Sequence, residues 1–217
     1  MALRVISFAT YLTNVDVVWR GEDYDALKFV KAIKGKPINK YAYVPVGKVR
    51  RLLEERNADD AIGWFGEMAM APTRDLRIPH PLILVPIPNS SCTTTNGEVP
   101  RTTRLAKALA VQLGGEVWDR LRWKTIMTPS SQGGTRDPQE LYDNLVVTKQ
   151  PPPKGSLMLI DDVRTTGAHL LAAAARLAEK GGRVPLAICA ARTVWNQDEE
   201  PFSILEEQLE DFKPRKK

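Results

Sequence analysis

Two adjacent carboxylates, Asp161 and Asp162, are the residues of this chain whose types and spacing point most directly to chemistry. Carboxylate oxygens can accept two hydrogen bonds from a vicinal diol, or help to hold a hydrated Mg2+ through water. Both uses point to a sugar. The segment around the two acids therefore predicts a sugar-binding site.

A short turn follows the two acids and leads into a predicted helix. The turn contains Thr165, Thr166 and Gly167, and residues 170–178 read LLAAAARLA, a run of strong helix formers. Helix N-termini carry about half a positive charge, threonine hydroxyls add donors and glycine allows close backbone approach, so the turn suits a phosphate monoester. Acids and turn together are complementary to a ribose 5-phosphate. An ordinary capped turn is the alternative, but it leaves the order of acids, threonines and glycine unexplained.

Buried strands must position these groups. Residues 157–160 are apolar without alternation, which is typical of a parallel strand covered on both faces. The acids would then lie at its carboxyl end, where open α/β sheets place their ligands. Residues 82–88 form a second apolar run that leads into a hydroxyl-rich turn, and residues 184–191 form a third.

The sequence DDVRTTGA, placed after an apolar strand, resembles the phosphoribosyl pyrophosphate signature of type I phosphoribosyltransferases. The resemblance implies that Asp161 and Asp162 contact the ribose hydroxyls. It also implies that the 5-phosphate and the sugar are surrounded by the rest of this segment, namely Val163, Arg164, Thr165, Thr166, Gly167, Ala168 and His169. The family usually has a threonine or serine where this chain has His169, although an imidazole can also donate a hydrogen bond to phosphate.

The resemblance further implies a pyrophosphate site in the loop after the first core strand. The candidates there and just behind it can donate hydrogen bonds: Asn89, Ser90, Ser91, Arg101 and Arg104. For this segment alone, an ordinary polar loop is the alternative. In the family, a mobile loop between this strand and the acids closes over the reaction centre and excludes water. The long polar stretch at residues 124–144 occupies that place, and Arg136 is its candidate to reach pyrophosphate.

The order of VPIP, RLAKALA, the hydroxyl-rich loop and LIDDVRTTGA, over residues 81–194, resembles ComF-like phosphoribosyltransferases. Many of these carry an N-terminal zinc-binding cysteine cluster, which the two distant cysteines of this chain, Cys92 and Cys189, cannot form. The resemblance implies a glycosyltransferase that moves a phosphoribosyl group to a nucleobase-like nitrogen acceptor and releases pyrophosphate. Its catalytic residues would be Asp161, Asp162 and Arg136. Mg2+ would be held mainly through substrate and water, with the two acids as candidate contacts.

The predicted architecture is α/β, the type I phosphoribosyltransferase fold, with a mainly parallel central sheet flanked by helices. Residues 1–75 would form an N-terminal α+β appendage or hood, residues 76–196 the core, and residues 197–217 a C-terminal helix and basic tail. Within the first region, apolar patterning predicts strands at residues 5–12 and 15–19 and helices at residues 22–33 and 49–57. The hood would hold the acceptor.

Composition narrows the class of protein. Two cysteines cannot make a disulfide scaffold, which favours a reducing cytoplasm. The first residues are too mixed for a secretory signal and no apolar run approaches a membrane span, so we expect a cytoplasmic protein with no membrane partner. The chain has no Walker A pattern and no GxSxG elbow.

The net charge of +5 suits phosphate-bearing partners. Basic residues cluster between residues 28 and 51, with Trp19, Tyr41 and Tyr43 close by, and such interleaving can bind single strands by stacking. A solvated face with ordinary core aromatics is the favoured interpretation. Nucleic acid stays open as a partner, as does a homodimer, which the family often forms. The alternative function is a non-catalytic sensor of phosphoribosyl pyrophosphate or nucleotide, or a ComF-like nucleic-acid handling or interaction protein.

Overall fold

The computed structural model describes residues 2–129, 132–197 and 199–215. Parts of two predicted segments, residues 130 and 131 of the long polar loop and residues 216 and 217 of the basic tail, lie outside the described residues. The elements in chain order are β1 (Leu3–Ser7), β2 (Thr10–Leu12), α1 (Gly21–Ile33), β3 (Tyr41–Val46), β4 (Val49–Glu54), α2 (Asp60–Asp75), β5 (Leu82–Pro86), α3 (Thr102–Leu113), β6 (Glu116–Val117), β7 (Leu121–Trp123), α4 (Pro138–Asn144), β8 (Leu145–Val147), β9 (Ser156–Arg164), α5 (Ala168–Glu179), β10 (Leu186–Val194) and β11 (Leu205–Leu209).

A seven-stranded sheet forms the centre of the molecule, in the order β11-β1-β10-β9-β5-β6, with β2 paired to the end of β10. The pairs β1·β10, β10·β9, β9·β5 and β5·β6 are parallel, and β11 runs antiparallel to β1. Helices cover both faces. The expected α/β fold with a mainly parallel central sheet flanked by helices is therefore confirmed.

The alternation of side chains along β9 explains its unbroken apolar sequence. Met158 and Ile160 pack in the cluster that α1, α2 and α3 cover, while Leu157 and Leu159 pack in the cluster under α4 and α5. Successive residues of a strand point to opposite faces, so a strand covered on both faces needs apolar side chains at every position. These four residues are at most 1% exposed.

A topological switch point lies between β5 and β9. The chain leaves β5 through α3 toward β6 at one edge of the sheet, and leaves β9 through α5 toward β10 on the other side. Because α3 and α5 pack on opposite faces, the chain opens a crevice above the carboxyl ends of these two strands. The β5·β9 ladder ends at the pair Pro86 and Ile160, while β9 continues to Arg164 beside β10 alone.

The N-terminal region differs from the expected appendage, because β1 and β2 belong to the central sheet. Their partner is β10 in both cases, and Val5 is fully buried. The remaining elements, α1, β3, β4 and α2, pack on one face of that sheet. The helix expected at residues 22–33 is confirmed as α1. The strand expected at residues 15–19 is wrong, because these residues form a bend and irregular chain in which Val15 and Val18 are exposed.

Two expected helices are strands. Residues 49–54 form β4 because a two-residue turn at Gly47 and Lys48, with Gly47 at a φ of 62°, folds them back onto β3. The C-terminal helix expected within residues 197–217 is replaced by β11, whose burial alternates and which pairs with β1. Pairing with distant strands overrides the local helical pattern in both segments. Among the described residues, no helix has the length and apolar character of a membrane span.

Candidate functional site

The two acids lie within the last residues of β9, beyond the point where β5 has ended. Both are half-buried. The backbone N–H of Asp162 donates to Asp161 Oδ1 at 2.8 Å, and that of Val163 donates to Asp162 Oδ1 at 2.6 Å. Each carboxylate thus uses one oxygen on the backbone, and both stand at the crevice of the switch point.

The two carboxylates disfavour each other's charge. Burial raises the pKa of Asp161 well above its usual value, and the negative charge of Asp162 raises it further. The positive charges of Lys34 and Arg101 act in the opposite direction. Extra hydrogen-bond donors or a cation at this position would relieve the repulsion. The acid pair is therefore suited to a ligand that brings hydroxyl donors and positive charge with it.

Arg101 joins the acids to the loop that follows β5. Its Nη2 lies 3.3 Å from Asp162 Oδ2, and the two side chains are 46% and 14% exposed. Its backbone N–H, one residue before α3 begins, donates to Asn89 Oδ1 at 3.2 Å. The structure therefore brings together the predicted sugar-binding and pyrophosphate-binding segments, which are about sixty residues apart in sequence. The exposed guanidinium makes this ion pair weak and exchangeable.

In the predicted pyrophosphate loop, two side-chain donors are hydrogen-bonded to a carboxylate of the same loop, Glu98. Ser91 Oγ donates to Glu98 Oε1 at 2.8 Å, and Asn89 Nδ2 donates to the same oxygen at 3.3 Å. The buried Cys92 thiol donates to Asn89 Oδ1 at 3.0 Å, and burial raises the pKa of that thiol to about 11. The backbone carbonyl of Ser90 accepts from Met127 N–H at 2.9 Å, which ties this loop to the long polar segment.

The turn after the acids begins α5 at Gly167, which has a φ of 84°. A Cβ at this position would lie 2.4 Å from Leu209 Cδ1, so the site requires glycine for both conformation and space. Thr165 is half-buried, Thr166 is exposed and Ala168 is buried. Thr166 Oγ1 accepts from the Ala168 N–H at 3.4 Å. The threonines thus stand at the open N-terminal end of a twelve-residue helix.

Three residues of the predicted phosphate-binding segment, Val163, Arg164 and His169, contact other parts of the fold. Arg164 forms an ion pair with Glu207 of β11, so its guanidinium is directed to that strand. Val163 packs against the cluster under α1 to α3. The His169 ring meets the Trp123 ring edge to face, with centroids 5.8 Å apart, and burial lowers its pKa while Asp162 opposes the change. His169 is therefore a neutral, packed ring at pH 7.

The two other arginine candidates lie apart from the acids. Arg104 Nη2 pairs with Asp59 Oδ1 at 2.7 Å, and both side chains are exposed. Arg136 is exposed in the segment before α4. Residues of that segment line a groove of about 570 Å3, among them Thr128, Gly134 and Asn144. Among the described residues, Arg101 rather than Arg136 contacts the acid pair.

Sequence reasoning missed three residues of this site: Glu98, Lys34 and Tyr11. Lys34 caps the C-terminal end of α1, and its Nζ lies 5.4 Å from the centroid of the Tyr11 ring. The charge of Lys34 acts on Asp161, and Tyr11 lies on β2, which pairs with the end of β10 beside β9. No local sequence pattern predicts where Lys34 and Tyr11 lie in the fold. Glu98 did carry a signal, as an acid inside a loop otherwise rich in donors.

The donor chemistry of the acid pair fits Mg2+, which prefers carboxylate oxygens and retains several waters. The described residues contain no group of three or more histidine, cysteine, aspartate or glutamate side chains placed to hold a metal ion. Asp161 and Asp162 would therefore hold the ion together with water and ligand oxygens. A separate cavity of about 810 Å3, between α5 and the segment around Phe212, contains neither acid.

Comparison with known proteins gives similarity at the level of structure. No protein-family model matches the chain, and no curated protein matches it either. The chain is similar to the adenine phosphoribosyltransferase of Thermoanaerobacter pseudethanolicus, with 15% identity, coverage of 75% of this chain and 87% of that chain, and a TM-score of 0.41.

Two further adenine phosphoribosyltransferases are similar. That of Giardia lamblia, complexed with 9-deazaadenine, is 15% identical and covers 81% of this chain and 98% of its own, with a TM-score of 0.42. That of Trypanosoma brucei, in complex with AMP, pyrophosphate and ribose-5-phosphate, is 13% identical. The match covers 87% of this chain and 86% of the Trypanosoma brucei chain, with a TM-score of 0.43.

Because burial and the charge of Asp162 disfavour the ionised form of Asp161, replacing this residue should change the stability of the folded protein. Asp161→Asn keeps the oxygen that accepts from Asp162 N–H and removes the disfavoured charge, so it should raise the unfolding temperature of the ligand-free protein at pH 7. In a chain of this size each kcal/mol corresponds to about 2–4 °C. Thermal unfolding followed by circular dichroism measures the change, with the exposed Asp16→Asn as the control.

The effect should depend on pH. Folded Asp161 keeps its proton to a higher pH than the unfolded chain, so the wild type loses stability as pH rises from the ordinary pKa of 3.8 through the folded value. The advantage of Asp161→Asn should therefore be small near pH 4 and larger at pH 7. An asparagine variant that is less stable than the wild type at pH 7 would contradict the origin given for the pKa shift.

Proposed function

We propose that this chain is a phosphoribosyltransferase, which binds phosphoribosyl pyrophosphate with Mg2+ and transfers the phosphoribosyl group to a nucleobase-like nitrogen acceptor. One observation carries the proposal. The acid pair at the end of β9 is joined through Arg101 to the donor-rich loop after β5, across the crevice of a topological switch point. The order of segments in the chain supports a ComF-like member of this class.

The ligand fits the site in three parts. The ribose hydroxyls donate to Asp161 and to Asp162, whose Oδ2 exchanges Arg101 for the sugar. The 5-phosphate lies at the N-terminal end of α5, where Thr165, Thr166 and backbone N–H groups of the turn donate. The pyrophosphate lies between Arg101 and the loop of Asn89, Ser90 and Ser91. Arg104 and Arg136 are further candidates there, each by rearrangement of an exposed side chain.

The reaction breaks the bond between the anomeric carbon and a pyrophosphate oxygen and forms a bond from that carbon to the acceptor nitrogen. Positive charge develops on the sugar as the bond breaks, and the Asp161 and Asp162 carboxylates stabilise it. Arg101 neutralises charge on the departing pyrophosphate, and the proton of the acceptor nitrogen passes to a pyrophosphate oxygen or to water. Mg2+, when bound, would supply charge neutralisation for the pyrophosphate oxygens.

The acceptor would lie on the side of the crevice formed by the N-terminal region. The C-terminal end of α1 reaches the acids, as the effect of Lys34 on the pKa of Asp161 indicates. Residues 21–75 would thus contribute the hood, while β1 and β2 belong with residues 76–196 to the central sheet of the ligand-binding core, and β11 covers one edge of that sheet. Both cysteines are free and buried, which supports our proposal of a reducing, cytoplasmic setting.

A non-catalytic sensor of phosphoribosyl pyrophosphate is the second candidate. The observation that favours it is the engagement of two turn residues, because Arg164 pairs with Glu207 and His169 packs on Trp123. Fewer donors then remain for the phosphate. Pyrophosphate release separates the candidates, since a sensor binds the ligand without turnover for any base.

Asp162→Asn should reduce pyrophosphate release by at least about a hundredfold, because it removes a charge that the developing positive charge on the sugar requires. The measurement is a coupled assay of pyrophosphate release from phosphoribosyl pyrophosphate with Mg2+ and a panel of purine and pyrimidine bases. Asp75→Asn, at the exposed end of α2, makes the same chemical change away from the crevice and should keep full activity. An Asp162→Asn variant that turns over as fast as the wild type would exclude this role.

Glu98→Gln should tighten the binding of inorganic pyrophosphate by about twofold to fivefold, as expected for removal of one exposed charge. Glutamine can still accept from Ser91 and Asn89, so the loop keeps its conformation. The repulsion between the Glu98 carboxylate and the pyrophosphate is lost. Titration calorimetry with pyrophosphate measures the change. Glu116→Gln is the matched control, because Glu116 lies beside Ile83 at the opposite end of the sheet. Equal affinity of wild type and Glu98→Gln would place pyrophosphate elsewhere.

A further inference from the structure

The hairpin of β3 and β4 displays aromatic side chains to solvent. One face of the hairpin is buried, with Ala42, Val44 and Leu53 fully covered. The opposite face carries Tyr41 and Tyr43, which are 53% and 44% exposed. The expected role of these tyrosines as ordinary core aromatics is therefore wrong. We call the outward surface of Tyr41, Tyr43, Pro45, Arg50, Leu52 and Glu54 the hairpin face.

The two tyrosines form a fixed platform. Their ring centroids are 5.6 Å apart and the ring planes are inclined by 69°, an edge-to-face contact in which the edge of one ring lies against one face of the other. The outer edge of β3 is held by α1: Lys28 Nζ donates to the Tyr41 carbonyl at 2.6 Å, and the Asp25 carboxylate accepts from the Tyr43 N–H. Each ring thus keeps at least one flat face clear of its partner, on a backbone that is anchored to a helix.

Positive charge surrounds this platform. Residues 28–56 contain nine basic and two acidic side chains, so the local balance is far more positive than that of the whole chain. Lys40, Lys48 and Arg50 are exposed at the two ends of the hairpin and across it. The two acids are already engaged, Glu54 by Arg56 at 2.6 Å and Glu55 by the Ile38 N–H at 2.7 Å.

We propose that the hairpin face binds single-stranded nucleic acid. Bases would stack on Tyr41 and Tyr43, and phosphates would lie against Lys40, Lys48 and Arg50. A single strand offers both a polyanionic backbone and open base faces, which match the two features of this surface. A duplex hides its base faces, and an acidic peptide makes no use of the ring surfaces. This interaction goes beyond the transfer reaction and needs neither phosphoribosyl pyrophosphate nor the acid pair.

Fluorescence anisotropy of labelled dT20 and U20 with the full chain tests the proposal. Binding should weaken with salt, with a log–log slope of about −2 for three phosphate contacts. Tyr41→Ala with Tyr43→Ala should weaken binding by at least about tenfold, because stacking is worth about 1–3 kcal/mol per base. Tyr41→Phe with Tyr43→Phe keeps the rings and should bind within about twofold of the wild type.

Tyr24→Ala is the matched control, because Tyr24 is 50% exposed on α1 and its ring lies on Trp19 rather than on the hairpin face. It should bind normally. The proposal is overturned by an absence of binding at low salt, by equal binding of duplex and single strand, or by alanine variants that bind like the wild type. A dimer that the alanine variants dissociate in sedimentation would instead assign this face to a second copy. If the alanine variants fold poorly, Lys48→Gln tests the same face: it should weaken binding at low salt and reduce the salt slope by about 0.7, and an unchanged affinity and slope would overturn the proposal.

Discussion

The burial of the Asp161 carboxylate, next to the negative charge of Asp162, is the constraint on which the site depends. Adjacent carboxylates at the end of a central strand lose part of their hydration, and only paired donors make that position tolerable. The backbone N–H groups of Asp162 and Val163 and the guanidinium of Arg101 supply them. This arrangement exists because β5 ends at Pro86 and leaves one side of β9 open to the loop that follows it.

Positive charge reaches the acids from separate parts of the fold. Lys34 comes from the end of α1, Arg101 from the start of α3, and the N-terminal dipole of α5 from the turn at Gly167. A sugar bearing phosphates at both ends would exchange these internal partners for its own hydroxyls and anionic oxygens. Within the loop after β5, the Glu98 carboxylate accepts from Asn89 and Ser91, the donors that we propose for pyrophosphate.

The parts of the fold that could be predicted from sequence are those in which local pattern and tertiary environment agree. Residues 157–160 are apolar at every position because helices cover both faces of β9, so a buried parallel strand followed by α5 was the natural prediction. The acid pair and Gly167 could be predicted as well, because they lie in sequence between this strand and the run of helix formers in α5. The strands β4 and β11 were missed because their pairing depends on a glycine turn and on the distant edge of β1. The roles of Lys34 and Glu98 depend on approaches across the fold that no spacing encodes.

The central claim, that the acid pair and the loop after β5 hold one phosphoribosyl pyrophosphate between them, is tested most directly by titration calorimetry of that ligand with Mg2+. We predict one site per chain, with affinity lost in Arg101→Ala as well as in Asp162→Asn, because both halves of the crevice contact the same molecule. An absence of binding to the wild type, or binding that neither substitution weakens, would contradict the account.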